Sequence, residues 1–286
     1  MRFLLSVFVV QNNSLKETGW LFQVYTVICS STQGADDSTI AGFEAGTENT
    51  SDVLNLFGSA ITGIKGTSKG IEISTTEKSK VLLQGLKAND KIQWESGDAK
   101  GVAKIGVSRQ ANTFTYDEEV TNYFGGSKKD TLQVSGEDHS VWMENLGSSI
   151  EIIDASSSTG DNLLAGGHEA ETIIGGRGDN SLWGGAGGND VLTGGSGYNE
   201  FYFGKGEGTD LITKSNDGDK VMLYNVKLED LNAQATGLKD GSMVIALKDG
   251  STLTLQNYDS HGATTFQLAD GTYSYDRKTG SWQEMK

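Results

Sequence analysis

The sequence contains no proline, one cysteine and three histidines among 286 residues. A single thiol, Cys29, excludes a disulfide framework within the chain and any zinc site built from cysteines. Three imidazoles (His139, His168, His261) leave little material for histidine catalysis or a histidine zinc site. Bases are also scarce: 23 Lys and Arg stand against 38 Asp and Glu, for a formal net charge of −15. Such a surface repels phosphates and anionic lipid, which argues against nucleic acid and membrane surfaces as partners. Long apolar runs are missing too. Phe3–Val10, interrupted by Ser6, and Trp20–Cys29 both fall short of the roughly 18 residues needed to span a bilayer, so no transmembrane segment is expected. What remains is an acidic, β-rich chain whose carboxylates point toward cations.

Residues 1–34 form an apolar N-terminal segment with one acid (Glu17) and two bases (Arg2, Lys16). Arg2 before an apolar run has the order of a secretory signal, but the run is short and no Ala-x-Ala-like step follows. A β-hairpin is the other reading of this segment. From 35 to 156 an acid repeatedly precedes alternating apolar residues: Asp52-Val-Leu-Asn-Leu, Asp90-Lys-Ile-Gln-Trp and Asp130-Thr-Leu-Gln-Val, with a later copy at Asp219-Lys-Val-Met-Leu. Period-two alternation behind a turn predicts half-buried strands. The intervals of 38 (90 − 52) and 40 (130 − 90) suggest a degenerate long repeat, as in a solenoid. Only Val226–Gln234 reads as briefly helical.

The sharpest pattern lies at 157–213. Residues 160–208 hold 16 glycines in 49 positions, against 23 in the other 237. Six units of about nine residues follow one register: Ser157–Ala165, Gly166–Ile174, Gly175–Trp183, Gly184–Thr193 (one glycine longer), Gly194–Tyr202 and Lys205–Thr213. Position eight is apolar in every unit: Leu164, Ile173, Leu182, Leu192, Phe201, Ile212. A nine-residue unit with one inward apolar side chain makes a short strand and a turn, and two units make one coil of a parallel β-roll. Alternate units then stack, so Leu164, Leu182 and Phe201 form one internal ladder and Ile173, Leu192 and Ile212 the other.

Position six reads Asn162, Glu171, Asn180, Asp190, Asn199, Asp210. Alternation puts Glu171, Asp190 and Asp210 on one edge of the roll and Asn162, Asn180 and Asn199 on the other. Calcium takes six to eight oxygen ligands, which carboxylates and turn carbonyls supply. The expected site is therefore one or two calcium ions between the turns of Glu171, Asp190 and Asp210. Gly167, Gly185, Gly187, Gly206 and Gly208 bring turn backbone beside them. Glu169 breaks the glycine pattern of its turn, which favours the Asp190–Asp210 pair. The asparagine edge brings no charge and is the weaker edge. Asp161 and Asp179, at position five, should point outward. The competing reading is a metal-free roll held by its ladders and asparagine hydrogen bonds.

The repeats at 157–225, with the phrase GYNEFYFGKGEGTDLITKSNDGDKVMLYNV, resemble the RTX, or haemolysin-type calcium-binding repeat, family. The resemblance extends more weakly to 226–275, which is similar to the domain that often follows such arrays, so 214–286 is expected to be a post-repeat domain with hairpins around Asp249-Gly250 and Asp270-Gly271. The resemblance implies an all-β fold: a parallel β-roll flanked by irregular β-solenoid or β-hairpin regions. It also implies secretion through a type I apparatus, with folding by calcium outside the cell. Two features depart from the family: half of the position-six acids are missing, and the closing SWQEMK offers no hydrophobic secretion signal. The function expected is a secreted, calcium-binding folding or adhesive tail without catalysis of its own, with a cell-surface or polysaccharide ligand as partner. The other reading is the carboxy-terminal part of a secreted hydrolase or polysaccharide-acting enzyme.

Other candidates carry less. His168 stands at an outward turn position, and no G-x-S-x-G elbow appears with a strand–turn–helix context. Trp94, Trp142 and Trp183 are the residue type that lines a sugar-binding face, although ring packing is the commoner role.

Overall fold

The computed structural model describes residues 7–15, 21–29, 38–41, 53–55, 61–67, 69–75, 80–84, 86, 89–96, 99–106, 110–125, 128–143, 150–216, 218–258 and 265–286. The chain divides into two compact units, one of residues 1–130 with 145–149, the other of 131–144 with 150–286. His261 lies outside the described residues.

In the first unit the two N-terminal apolar runs become strands Val7–Leu15 and Leu21–Cys29, paired antiparallel. The long interval then takes physical form. Val53–Asn55 pairs in parallel with Lys91–Ser96, and Ser38–Ala41 with Lys80–Gln84. The strands Ile61–Thr67 and Gly70–Thr75 form an antiparallel hairpin that extends the sheet beyond Lys80–Gln84. The interval of 38 residues from Asp52 to Asp90 thus separates two paired rungs, whereas the strand that follows Asp130, Thr131–Gln133, pairs with Ile152–Asp154 in the second unit. Its core gathers Leu54, Ile71, Ile73, Val81, Leu83, Ile92, Ala103 and Ile105, with Trp94 packed against them.

The second unit is a parallel β-solenoid, as the nonapeptide register predicts. One sheet runs through Thr131–Gln133, Ile152–Asp154, Thr172–Ile174, Val191–Thr193, Thr209–Lys214 and Thr252–Leu255, each parallel to the next. The other runs through Ser140–Trp142, Leu163–Ala165, Ser181–Trp183, Glu200–Phe203, Lys220–Leu223 and Thr265–Leu268. Most of these strands have only three residues, with the middle one buried, because a nine-residue unit must also turn. The ladders are in register: Ile173 faces Leu192 and Leu192 faces Ile212, while Leu164 faces Leu182 and Leu182 faces Phe201. All six are fully buried. The ladders extend past the nonapeptides to Leu132, Ile153 and Leu255 on one sheet, and to Val141, Val221 and Phe266 on the other.

Each sheet ends in an antiparallel addition. Ser242–Ala246 pairs with Thr252–Leu255 through the Asp249-Gly250 turn, and Gly271–Asp276 pairs with Thr265–Leu268 and with Ser281–Glu284. The segment read as helical supplies a single 3-10 turn, Leu228–Asp230. Among the described residues no helix is long and apolar enough to cross a membrane.

Candidate metal centre

The residue before each strand of the roll turns its side chain inward under the glycine-rich turn. There Asp190, Asp210, Asn199 and Asp219 each accept the backbone N–H of the equivalent residue one coil away. The Glu171 N–H donates to Asp190 Oδ1 at 2.8 Å, and the Asp190 N–H donates to Asp210 Oδ1 at 3.0 Å. On the opposite edge the Asn180 N–H donates to Asn199 Oδ1 (3.1 Å), and the Asn199 N–H to Asp219 Oδ1 (2.7 Å). Position six is therefore a buried structural position on both edges: Asn162, Glu171, Asn180, Asp190, Asn199 and Asp210 are all at most 4% exposed.

Chemistry separates the two edges. An amide both accepts and donates, so the asparagines satisfy one another. Asn162 Nδ2 donates to Asn180 Oδ1 (3.0 Å), Asn180 Nδ2 to Asn199 Oδ1 (3.1 Å) and to the Gly178 carbonyl (2.7 Å). A carboxylate only accepts. Asp190 spends Oδ1 on the Glu171 N–H and is left with Oδ2 buried and without a partner. That oxygen is tucked against Gly184, where a Cβ would lie 2.3 Å from it. Gly185 makes the next close approach, with φ of +109° and the Gly167 carbonyl 2.1 Å from the place of a Cβ. Gly187, Gly206 and Gly208 also have positive φ. Gly167 donates to Glu171 Oε2 (3.3 Å), whereas the Gly206 N–H is engaged by Asp249 Oδ2 and Ser251 Oγ (both 2.9 Å).

A fourth carboxylate joins this edge from a position that the repeat pattern leaves variable. Glu207, third in its unit, is 1% exposed. Its Oε1 accepts from the Trp183 indole (2.8 Å) and its Oε2 from the Gly204 N–H (2.7 Å). Burial pushes all four carboxyls up to about 7. For Glu171 backbone donors at Gly167 and Glu169 oppose that rise. For Asp190 the charge of Glu171, a hydrogen bond with the Glu171 carboxyl and the charge of Glu207 add to it, and for Asp210 the charge of Asp190 does. Among the described residues no lysine or arginine offsets the rise at any of the four.

The donor set of this edge, carboxylate oxygens beside glycine carbonyls, suits a hard cation such as calcium rather than zinc. The carboxylates form a row along the coils, however, and not a cage. Among the described residues no three Asp, Glu, His or Cys side chains converge as a metal-holding group.

Two further buried acids went unread in the sequence. Asp219, 0% exposed, closes the asparagine ladder, and Asp130, also 0% exposed, accepts from the Asn112 N–H (2.6 Å) and Nδ2 (2.8 Å). Both open the acid-plus-alternation phrase, and that phrase places its acid just ahead of a strand, as position six does; this was the available signal. Asp161 and Asp179 are exposed. Each accepts the N–H of position five in the next coil, from Asp179 and Tyr198 respectively, at 2.7 Å. His168 is exposed, with Nδ1 3.1 Å from the Ala186 carbonyl. Of the three tryptophans, Trp142 and Trp183 come together at 6.1 Å between ring centroids, while Trp94 packs in the first unit.

No family model matches the chain, and no curated protein matches it. Among solved structures, the extracellular lipase LipA from Serratia marcescens aligns with 77% of this chain at 14% identity and a TM-score of 0.22. The alignment spans 31% of the lipase's own length, and at that score the likeness carries no argument about function.

Proposed function

We propose that the second unit is a calcium-stabilised β-roll of the RTX type, serving as the folding module of an extracellular protein. The observation that carries this is Asp190: fully buried, one oxygen without a partner, in a row of carboxylates beside which no lysine or arginine is buried among the described residues. A metal-free roll must either keep these groups protonated or hold buried negative charge, and both are costly. A dication between adjacent coils removes that cost and converts binding energy into folding energy. Because the carboxylates stand in a row, each ion takes a pair of them at most. Turn carbonyls and water complete the shell. The Asp190–Asp210 pair, with Glu207 beside it, is the strongest pair and Glu171 extends it. The asparagine edge needs no ion. Secretion before folding follows from the family resemblance, since calcium is scarce inside cells and millimolar outside.

The test is circular dichroism of the whole chain titrated with calcium from chelated to millimolar, with magnesium as control. Extracellular calcium modules bind at about 10⁻⁴–10⁻³ M. The expected result is a cooperative gain of β signal or of melting temperature in that range, abolished in Asp190→Ala/Asp210→Ala. An unchanged spectrum and unchanged melting temperature would establish a metal-free roll held by its ladders.

A further inference from the structure

We infer that the outer face of the second sheet of the roll binds an uncharged oligosaccharide. Parallel register lines up the outward residues of successive coils, so Trp142, Ala165, Trp183 and Tyr202 form one column. Ala165 between the two tryptophans is buried, and their rings meet at 6.1 Å between centroids. A cavity of about 300 Å³ beside them is lined by Trp142, Leu163, Ala165, Trp183, Tyr202 and Tyr224. That volume is at the lower end of the range for small-molecule sites.

The rings are fixed in place. Trp142 and Trp183 meet edge to face at 71°, and Trp183 and Tyr224 at 85° with centroids 6.2 Å apart. The polar edges of both indoles are engaged: Trp183 Nε1 donates to the buried Glu207, and Trp142 Nε1 to the exposed Ser140 Oγ at 3.0 Å. What the rings offer a ligand is therefore their apolar faces. Trp142 is 38% exposed.

A second cleft of about 270 Å³ adjoins the first and shares Ser181 with it. Its walls are of the opposite kind: Asp179, Glu200, Lys220 and the ring of Tyr198. Tyr198 is 69% exposed and lies over Gly218, where a Cβ would come within 2.8 Å of the ring. Lys220 and Glu200 pair across neighbouring coils at 3.3 Å.

The two clefts together ask for a ligand with flat apolar faces and a hydroxyl-bearing rim, repeated over more than one ring. Pyranose chains have that make-up. A fatty acyl chain would leave the polar half unmatched. An acidic glycan or a nucleotide would bring its charge to Asp179 and Glu200 on a chain of net charge −15. Charge thus selects an uncharged glycan. The inference needs a folded roll, and because Glu207 holds the Trp183 indole, binding is compared in calcium and in chelator.

The experiment is calorimetric and fluorescence titration of the whole chain, in calcium and in chelator. The probes are cellohexaose, xylohexaose, mannohexaose, maltohexaose and chitohexaose, with hexagalacturonate as the acidic counterpart. At least one neutral hexaose should bind, and Trp142→Ala and Tyr198→Ala should each weaken it about tenfold, the size of one lost ring contact. Both side chains are exposed, so dichroism should match the parent. The inference is overturned if no neutral hexaose binds, if only hexagalacturonate binds, or if both variants bind as the parent does. Dichroism of the same samples decides the calcium reading separately.

Discussion

Asn180 shows what one residue contributes at the asparagine edge. Its amide accepts from Asn162 and donates to Asn199, to the Gly178 carbonyl and to the Gly194 carbonyl (3.2 Å), all in a buried setting. Asn180→Ala therefore strands several buried groups at once, each worth about 1–3 kcal/mol when unsatisfied. A loss of about 2–4 kcal/mol is expected in urea denaturation, and a loss below about 0.5 kcal/mol would show that the ladder is redundant. The carboxylate edge yields a different expectation, in pH. Glu171, Asp190, Glu207 and Asp210 have carboxyls pushed from ordinary values near 4 up to about 7 in the metal-free fold. Protonation is thus favoured by folding. Their contribution is fully present below the unfolded value and is lost as pH rises through about 7. In chelator the melting temperature should fall between about pH 5 and pH 8, and Asp190→Asn/Asp210→Asn should flatten that fall. Acids held low by their partners, such as Asp117 beside Lys91, act only at lower pH and do not blur this window. With calcium present the trend should weaken or reverse, because the ion needs the ionised form. A melting temperature independent of pH in chelator would contradict the burial of these groups.

A strand of three residues has one inward side chain, so each ladder residue is the whole apolar anchor of its element. Leu182 is fully buried between Leu164 and Phe201, while its neighbour Ser181 faces outward. Leu182→Ala should cost about 2–5 kcal/mol, against less than about 0.5 kcal/mol for Ser181→Ala, in paired denaturation curves. Equal effects would mean that the ladder does not hold the coil. These elements were legible in the sequence because position eight never breaks register, and because the glycines that flank it punctuate every turn. Glu207 was not legible. Position three is occupied by His168, Arg177, Ala186 and Ser196 in other units, so nothing in the pattern marks it, and only the fold brings Glu207 beneath its turn to Trp183. Asp219 and Asp130 were visible as acids ahead of strands, but their inward burial comes from coil stacking, which single-strand alternation does not reveal.

At the scale of the molecule, the 38-residue spacing of the first unit and the nine-residue rhythm of the second are two solutions to one problem. Each spaces inward apolar residues so that parallel rungs stack, the first with a hairpin added at the sheet edge and the second with a glycine turn alone. The second unit closes at its far end, where antiparallel strands occupy the sheet edges that another coil would use.

The alternation of units between two sheets makes the roll count in pairs. Removing Gly166–Trp183, two units, would bring Asn162 onto Asn199 and leave Asp190 facing Glu151, so every surviving side chain keeps its sheet and its edge. Removing Gly175–Trp183 alone would send all later units to the opposite sheet and set carboxylates against amides. The 18-residue deletion should still melt cooperatively in dichroism, at a lower temperature, and the nine-residue deletion should not fold. Comparable melting of both would refute the pairing. By the same parity, such an array lengthens or shortens by duplication only in even steps, and the smallest heritable change in its length is a full coil.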